Sequence, residues 1–497
     1  MLTEDPPLAY LAAAAVVAGL SFRLLRAVYR LYLHPLSKFP GPRSAALGHG
    51  WQSKVFSMGF PEREYDKLHK EFGTKALRIA PNQLHISDPS LYKVIYSQTN
   101  PFPKENAFYD SFESPHTTFS EADPLLHKQR RKMLNPLFSK SGVNKMEPLI
   151  LEKMEETISK IEQISDAGPI DISTAFRCMT GDIISEFSFG ASMNLIHEHP
   201  NAFESKYLKA LTLSSALPYV RYYSVTQKIV AKLIPLSIAA NFHPVLRHTK
   251  NMVDIILGSY DDYASKKTEK TASSLPVIFD FLQSLPAEQQ KAEAINTFIA
   301  GSDTTAFTLT TAVYYILSLP DVERTLVEAL DEVFGNAQTT PSLVQLEQIK
   351  YLRACITEAL RVGMAAPGLL PRIVPKRPQP FIVDGKVVPP GTIVGMSAYT
   401  MNTDPQIWGP DGGSFNPDRW LGPNAKELET YMCTFSKGAR QCIGINVAYA
   451  EITMTLAHIF YRFKMDLKTK EFRAKDRFIQ EFEEPGILVD FKLRQHS

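Results

Sequence analysis

Apolar positions are unevenly spread along this chain. From Leu8 to Phe22 they form an uncharged run, LAYLAAAAVVAGLSF, followed by RLLRAVYRLYLH, where Arg23, Arg26 and Arg30 alternate with Leu and Tyr. Fifteen helical residues reach about 23 Å, short of a ~30 Å hydrocarbon layer. Arginines that snorkel let Leu24, Leu25 and Val28 extend the span. Positive charges follow the run instead of preceding it, unlike a cleaved signal peptide. With Glu4 and Asp5 on the other side, they predict a membrane anchor over 1–33 and a cytoplasmic body. Residues 34–43, HPLSKFPGPR, cannot continue a helix and read as a stiff proline-rich hinge. No repeat, low-complexity tract or Gly/Ser linker follows, so 44–497 reads as one domain.

Within that body, helical spacing dominates: 125–138, 147–164 and 326–334 each carry apolar residues three and four apart. Residues 287–319, bounded by Pro286 and Pro320, predict one long helix of roughly 50 Å. Strand signals are few. FIV and KVV flank Asp384-Gly385, a two-residue hairpin turn, and TIVGM follows Pro390-Gly391. The expected fold class is mainly α with a minor β-sheet.

Composition narrows the function. Charged residues make up 21% and the formal net charge is +2, so no basic field exists to hold nucleic acid. Cysteines at 178, 355, 433 and 442 make no disulfide framework and fit a reducing compartment. Gly48-His49-Gly50 lacks strand–helix context, so no dinucleotide site is expected.

The densest chemistry lies in FSKGARQCIGINVAYAEITMTLAHIFYRF, 435–463. Cys442 precedes a long apolar helix, whose free N–H groups and positive end favour a thiolate. Gly438 and Gly444 permit positive φ or close approach to a flat ligand, and Arg440 can reach an anion beside the sulfur. A thiolate, a close backbone and an anion clamp suit haem iron and a propionate. A buried structural cysteine fits the local chemistry equally well, and a zinc site fits it less well.

Residues 435–444 resemble the haem-binding signature of the cytochrome P-450 superfamily, F-x-x-G-x-R-x-C-x-G, with Phe435, Gly438, Arg440, Cys442 and Gly444 in place. The resemblance implies the P-450 fold, with haem b between the long central helix and the loop that bears Cys442 as axial iron ligand. Three further motifs follow the family's pattern. Glu358 and Arg361 of TEALR match its E-x-x-R, which joins an arginine of a later F-x-P-x-R-W segment, here Arg419. That implies a buried charged cluster supporting the cysteine loop, whereas spacing alone suggests a surface ion pair. AGSDTT matches [AG]-G-x-[DE]-T-[TS] at Ala300, Gly301, Asp303, Thr304 and Thr305. The family binds oxygen there, so the resemblance implies that Thr304 would hydrogen-bond the oxygen ligand and Asp303 would relay protons. From composition alone, small residues for close helix packing explain the segment too. The family's W-x-x-x-R appears with His127 for Trp and Arg131 for Arg, and Arg372 in GLLPRIVP matches another propionate-binding arginine.

HPLSKFPGP and LNPLFS resemble filamentous-fungal biosynthetic members. The resemblance implies a monomeric monooxygenase on the endoplasmic reticulum, facing the cytosol. It would insert one oxygen atom from O₂ into a hydrophobic secondary metabolite such as a terpenoid, polyketide or alkaloid intermediate. NADPH enters only indirectly, through a membrane-bound reductase. Lys128, Arg130, Lys132 and Lys437 are candidates to dock an acidic reductase face, or form a plain solvated surface. Phe102, Phe108, Tyr109, Phe112 and Phe119, with Ala300, Leu369 and Leu370, are candidates to wall the substrate. A same-fold haem isomerase, dehydratase or peroxygenase, or a non-catalytic haem protein, is the competing reading.

Overall fold

The computed structural model describes residues 8–266, 276–335 and 340–495; Glu4 and Asp5, assigned above to the outer flank of the anchor, lie outside them. The apolar run forms a helix over Leu8–Val28 that passes into a short π-helical turn, Tyr29–Leu33. Tyr10–Leu33 is long and apolar enough to cross a membrane, and Leu20, Leu24 and Leu25 along it are all exposed. The proline segment is more firmly seated than a free tether. Leu36 and Phe39 are buried, and the Arg78 N–H donates to Pro40 O at 2.7 Å. Gly41 faces Arg78 so closely that a Cβ there would lie 2.2 Å from its carbonyl oxygen. Apolar side chains within the hinge, burying against the sheet, account for this docking.

The central helix runs Ala287–Ser318, 32 residues bounded by Pro286 and Leu319-Pro320, about 48 Å at 1.5 Å per residue. Against it pack the helices Ile172–Phe189, Lys350–Gly363 and Ile445–Arg462. Gly301 permits the first of these contacts: a Cβ there would lie 2.5 Å from Ile184 Cγ1. The expected helices appear as Pro124–Phe138, Glu147–Ile164 and Pro320–Gly335. Asp123 caps the first, accepting from the Leu125 and Leu126 N–H groups at 2.7 and 3.0 Å.

Sheet structure is minor. One sheet orders Ala76–Ala80, Gln83–Ile86, Ile393–Gly395 and Arg372–Ile373. Its middle pair is parallel and its outer pairs antiparallel. The hairpin Phe381–Val383/Lys386–Val388 turns at Asp384 and Gly385, with φ of 50° and 70°. A three-stranded sheet of Ile170–Asp171, Leu488–Leu493 and Phe463–Leu467 closes the carboxyl-terminal side.

Candidate active site

The cysteine loop folds back on itself: the Cys442 N–H donates to Phe435 O at 2.9 Å, and the Phe435 ring lies 5.8 Å from that of Tyr449. Gly438 has φ 75°, and a Cβ there would lie 2.1 Å from Tyr96 O, so glycine is demanded by the passage of the Tyr96–Ser97 backbone. Gly444 differs from expectation. Its φ is −80° and a Cβ would sit 3.9 Å from Cys442 Sγ, so neither strain nor crowding by the protein itself calls for glycine there. Its N–H instead acts on the sulfur in the direction that lowers the thiol's pKa.

Cys178, Cys355 and Cys433 are buried, whereas Cys442 retains open surface. Protein nonetheless surrounds that thiol, and the burial pushes its pKa up despite the Gly444 N–H and Arg131. The helix terminus alone does not offset that burial. Coordination to a metal ion would, since a ligating thiol loses its proton outright.

Beside this loop five basic side chains converge. His127 and Arg131 lie one turn apart on the helix Pro124–Phe138, Arg440 is on the cysteine loop, and Lys104 and Arg372 pair with each other in an isolated antiparallel bridge. Arg131 donates to Gln441 O at 3.0 Å, and Arg440 to Glu121 O and Ala122 O at 2.6 and 3.0 Å. Arg372 is 2% exposed, donates to the Tyr109 hydroxyl and leaves its Nε unpartnered. Burial, then Arg372 and Arg440, drives the Lys104 ammonium well below its ordinary pKa. Burial and the surrounding cations bring His127 down to about 3, so its imidazole is neutral and carries one N–H to donate. Burial, then Arg372, lowers Arg440 to about 10. This buried and half-buried basic cluster, opposed only by Glu121 on Lys104 and by Tyr109, Glu121 and Asp123 on Arg440, is a charge set that a multiply anionic group would complete. An open thiol beside such a cluster fits haem: Cys442 would hold its iron, and Arg131, Arg372, Arg440, His127 and Lys104 would hold its carboxylates. No motif had signalled Lys104, whose role depends on a strand bridge distant in sequence.

In the central helix, Ala300 is exposed and Thr304 half-buried, although both lie mid-molecule. The Thr304 hydroxyl donates to Ala300 O at 2.9 Å, and Thr308, Thr310 and Thr311 repeat this back-bonding, which is how the helix tolerates its polar run. Gly301 contributes packing on Ile184, the alternative its sequence had left open. Asp303 turns toward Arg177 of the helix Ile172–Phe189, in a two-point ion pair at 2.9 and 3.1 Å. This pair walls a cavity of about 500 Å³ that also holds Glu481 and is rimmed by exposed Glu204 and Lys209. Burial raises the Glu481 carboxyl to about 7, with Arg177 opposing. Sequence gave no sign of Arg177 or Glu481.

Glu358 and Arg361 are fully buried, so the surface ion pair suggested by spacing is not what forms. Glu358 holds Arg361 at 2.7 and 2.8 Å, Arg419 at 2.9 Å and the Trp420 indole N–H at 2.9 Å. Arg361 passes the constraint on through Asn402. It donates to Asn402 O at 2.7 Å, while the Asn402 side chain donates to Thr434 Oγ1 at 3.0 Å and accepts from the Cys433 N–H at 3.1 Å. The cluster is thereby hydrogen-bonded to the cysteine loop.

The expected docking surface needs one correction. Arg130 is buried, paired with Glu293 at 3.3 Å and with Gln289 at 2.8 Å, and cannot face a partner. Lys128 and Lys132 are exposed. Phe108, Phe112 and Phe119 cluster with Tyr219, Tyr222 and Phe478, while Phe102 packs into the sheet-side core away from them.

Comparison with known proteins agrees with this geometry. The family model for cytochrome P-450 matches residues 40–486. The cytochrome P-450 monooxygenase macH of Penicillium terrestre is 30% identical over 491 residues, covering 94% of each chain. The monooxygenase oblB of Cochliobolus heterostrophus is 33% identical over 488 residues, 92% of this chain and 90% of its own. The tryptophan 6-hydroxylase fscE of Fusarium equiseti is 30% identical over 480 residues, 94% of this chain and 92% of its own. With an open cysteine thiol in the signature loop and a family match over nearly the whole body, the chain belongs to the cytochrome P-450 family and is a haem-thiolate monooxygenase of the fungal biosynthetic type.

Proposed function

We propose that this enzyme oxidises a hydrophobic intermediate of secondary metabolism, taking one oxygen atom from O₂ and electrons from an NADPH-dependent flavoprotein reductase. The single observation carrying this reading is the open Cys442 thiol beside five basic groups, of which Lys104, His127 and Arg372 are buried and Arg131 and Arg440 half-buried. Bound haem supplies oxygen activation and the thiolate's electron donation. The chain's own residues hold, orient and protonate. Arg131, Arg372, Arg440, His127 and Lys104 anchor the cofactor carboxylates. Thr304, half-buried beside exposed Ala300, offers a hydroxyl to the oxygen side, and Asp303 moves protons from the cavity it shares with Arg177 and Glu481. The aromatic cluster about Phe108 and Phe478 excludes water and receives an apolar substrate.

The amino-terminal helix is the anchor in this reading, with the body on the cytosolic face of the endoplasmic reticulum, and one chain is sufficient for activity. Reconstitution with a microsomal reductase, screening apolar metabolites under ¹⁸O₂, tests the proposal. Product carrying one ¹⁸O and requiring NADPH is expected. Product formed without O₂ or reductase would place the chain among haem isomerases and dehydratases instead.

A further inference from the structure

One pair of acids is left over from this account. Glu62 lies in the first turn of the helix Pro61–Phe72 and is 2% exposed; Asp476 is fully buried. Asp476 accepts from the Phe478 N–H at 2.6 Å and, weakly, from the Tyr219 hydroxyl at 3.4 Å. Glu62 Oε2 has no partner. Among the described residues neither carboxyl forms an ion pair; Arg63 and Arg477 act on them only at longer range. Both acids converge on Gly368: a Cβ there would lie 3.0 Å from the Tyr219 hydroxyl, 3.3 Å from Glu62 Oε1 and 3.6 Å from Asp476 Oδ2.

Glu62 also lines a cavity of about 10 Å³ with Tyr65, Phe108, Tyr219 and Leu369. That is room for one water-sized group. An ammonium head is of that size, carries three donors and needs acceptors and aromatic faces. The lining supplies the rings: Phe108 and Tyr222 lie 5.3 Å apart, and Tyr219 and Tyr223 stack at 5.9 Å. Two lining residues neighbour, along the chain, Arg372 of the cofactor cluster or its hydrogen-bond acceptor. Leu369 stands three residues before Arg372, and Tyr109, next to Phe108, accepts from Arg372. Without a cation, burial raises both carboxyls, Asp476 to about 6, and favours their protonated forms; a cation seated beside them would favour the charged forms.

We infer that Glu62 and the tyrosines lining this cavity, with Asp476 beside Glu62 and Tyr219 at Gly368, form a cation subsite that receives the ammonium group of a substrate bearing a basic nitrogen. The inference rests on the reading of the chain as a small-molecule monooxygenase and names the class of its substrate.

The test uses full-length, haem-loaded enzyme and calorimetric titration with tryptamine and with 3-ethylindole, its uncharged counterpart. Tryptamine is expected to bind the parent enzyme about tenfold tighter or more. Glu62→Gln and Asp476→Asn should erase that preference and leave 3-ethylindole unchanged. Gly368→Ala, which keeps both acids but puts a methyl between them, should erase it as well. Equal binding of the two ligands by the parent enzyme would overturn the inference, and so would a preference that survives all three substitutions. Nitrogen ligation of the iron, seen as a Soret red shift persisting in Glu62→Gln, would overturn it too. The ferrous–carbon monoxide band separates the two levels: an intact band with no amine preference ends this inference alone, whereas a missing band ends the monooxygenase reading.

Discussion

At the scale of single residues, charge explains most of what is unusual here. Burial, then Arg372 and Arg440, disfavours the charged form of Lys104, and burial, then Arg372, does the same to Arg440, so a negative partner relieves both. Lys104→Met should therefore give folded protein with lower haem occupancy, read as the Soret-to-protein absorbance ratio. Unchanged occupancy would remove Lys104 from the cofactor's ligands. His458 is a separate case. It is 1% exposed, and its Nδ1 lies 3.7 Å from Glu155, beyond hydrogen-bonding distance, because Arg462 already holds that carboxylate at 2.6 and 2.7 Å. Burial, then Arg462, lowers its pKa from 6.5 to about 4. Between those values the unfolded chain binds a proton that the folded chain does not, so stability falls as pH falls through that window. His458→Leu should lessen the drop in urea midpoint between pH 7 and pH 5; an identical drop would mean other groups set the acid sensitivity.

At the scale of elements, the central helix and the E-x-x-R helix carry the site. Removing one partner of a fully buried ion pair costs about 3–5 kcal/mol. Glu358→Gln would strand Arg361 and Arg419 together, so it should abolish or strongly reduce haem incorporation and lower the thermal midpoint. A variant with normal haem content would show that the cluster does not govern the cysteine loop. Much of this level was legible beforehand. Pro286 and Pro320 bounded the central helix, Asp384-Gly385 set the hairpin, and the signature residues marked the loop. Contacts between distant segments were not legible. Nothing local pairs Arg177 with Asp303, Lys104 with Arg372 or Glu62 with Asp476, since each depends on chain crossings that short-range periodicity does not encode. Arg130 is instructive because its clue was local. It stands three residues after buried His127 and four before buried Leu134, on the inward side of its helix, so spacing argued against a docking role.

At the scale of the whole molecule, one apolar helix stands apart from an otherwise well-packed body. Its side chains are exposed from Tyr10 through Leu25, but its base is fastened by Arg30, which donates to Leu47 O, and by Arg78, which donates to Arg30 O at 2.8 Å. Deleting residues 1–33 should move the enzyme from the carbonate-resistant membrane pellet toward the supernatant, with the haem spectrum retained. Truncated protein that stayed in the pellet would point to a second membrane-binding surface on the body.

The central claim is that Cys442 ligates haem iron, and the most direct measurement is the ferrous–carbon monoxide difference spectrum of the parent protein beside Cys442→Ala. A red-shifted Soret band in the parent, absent from the variant, is the predicted result. A band at the position of histidine-ligated haem, or folded parent protein without haem, would contradict the account.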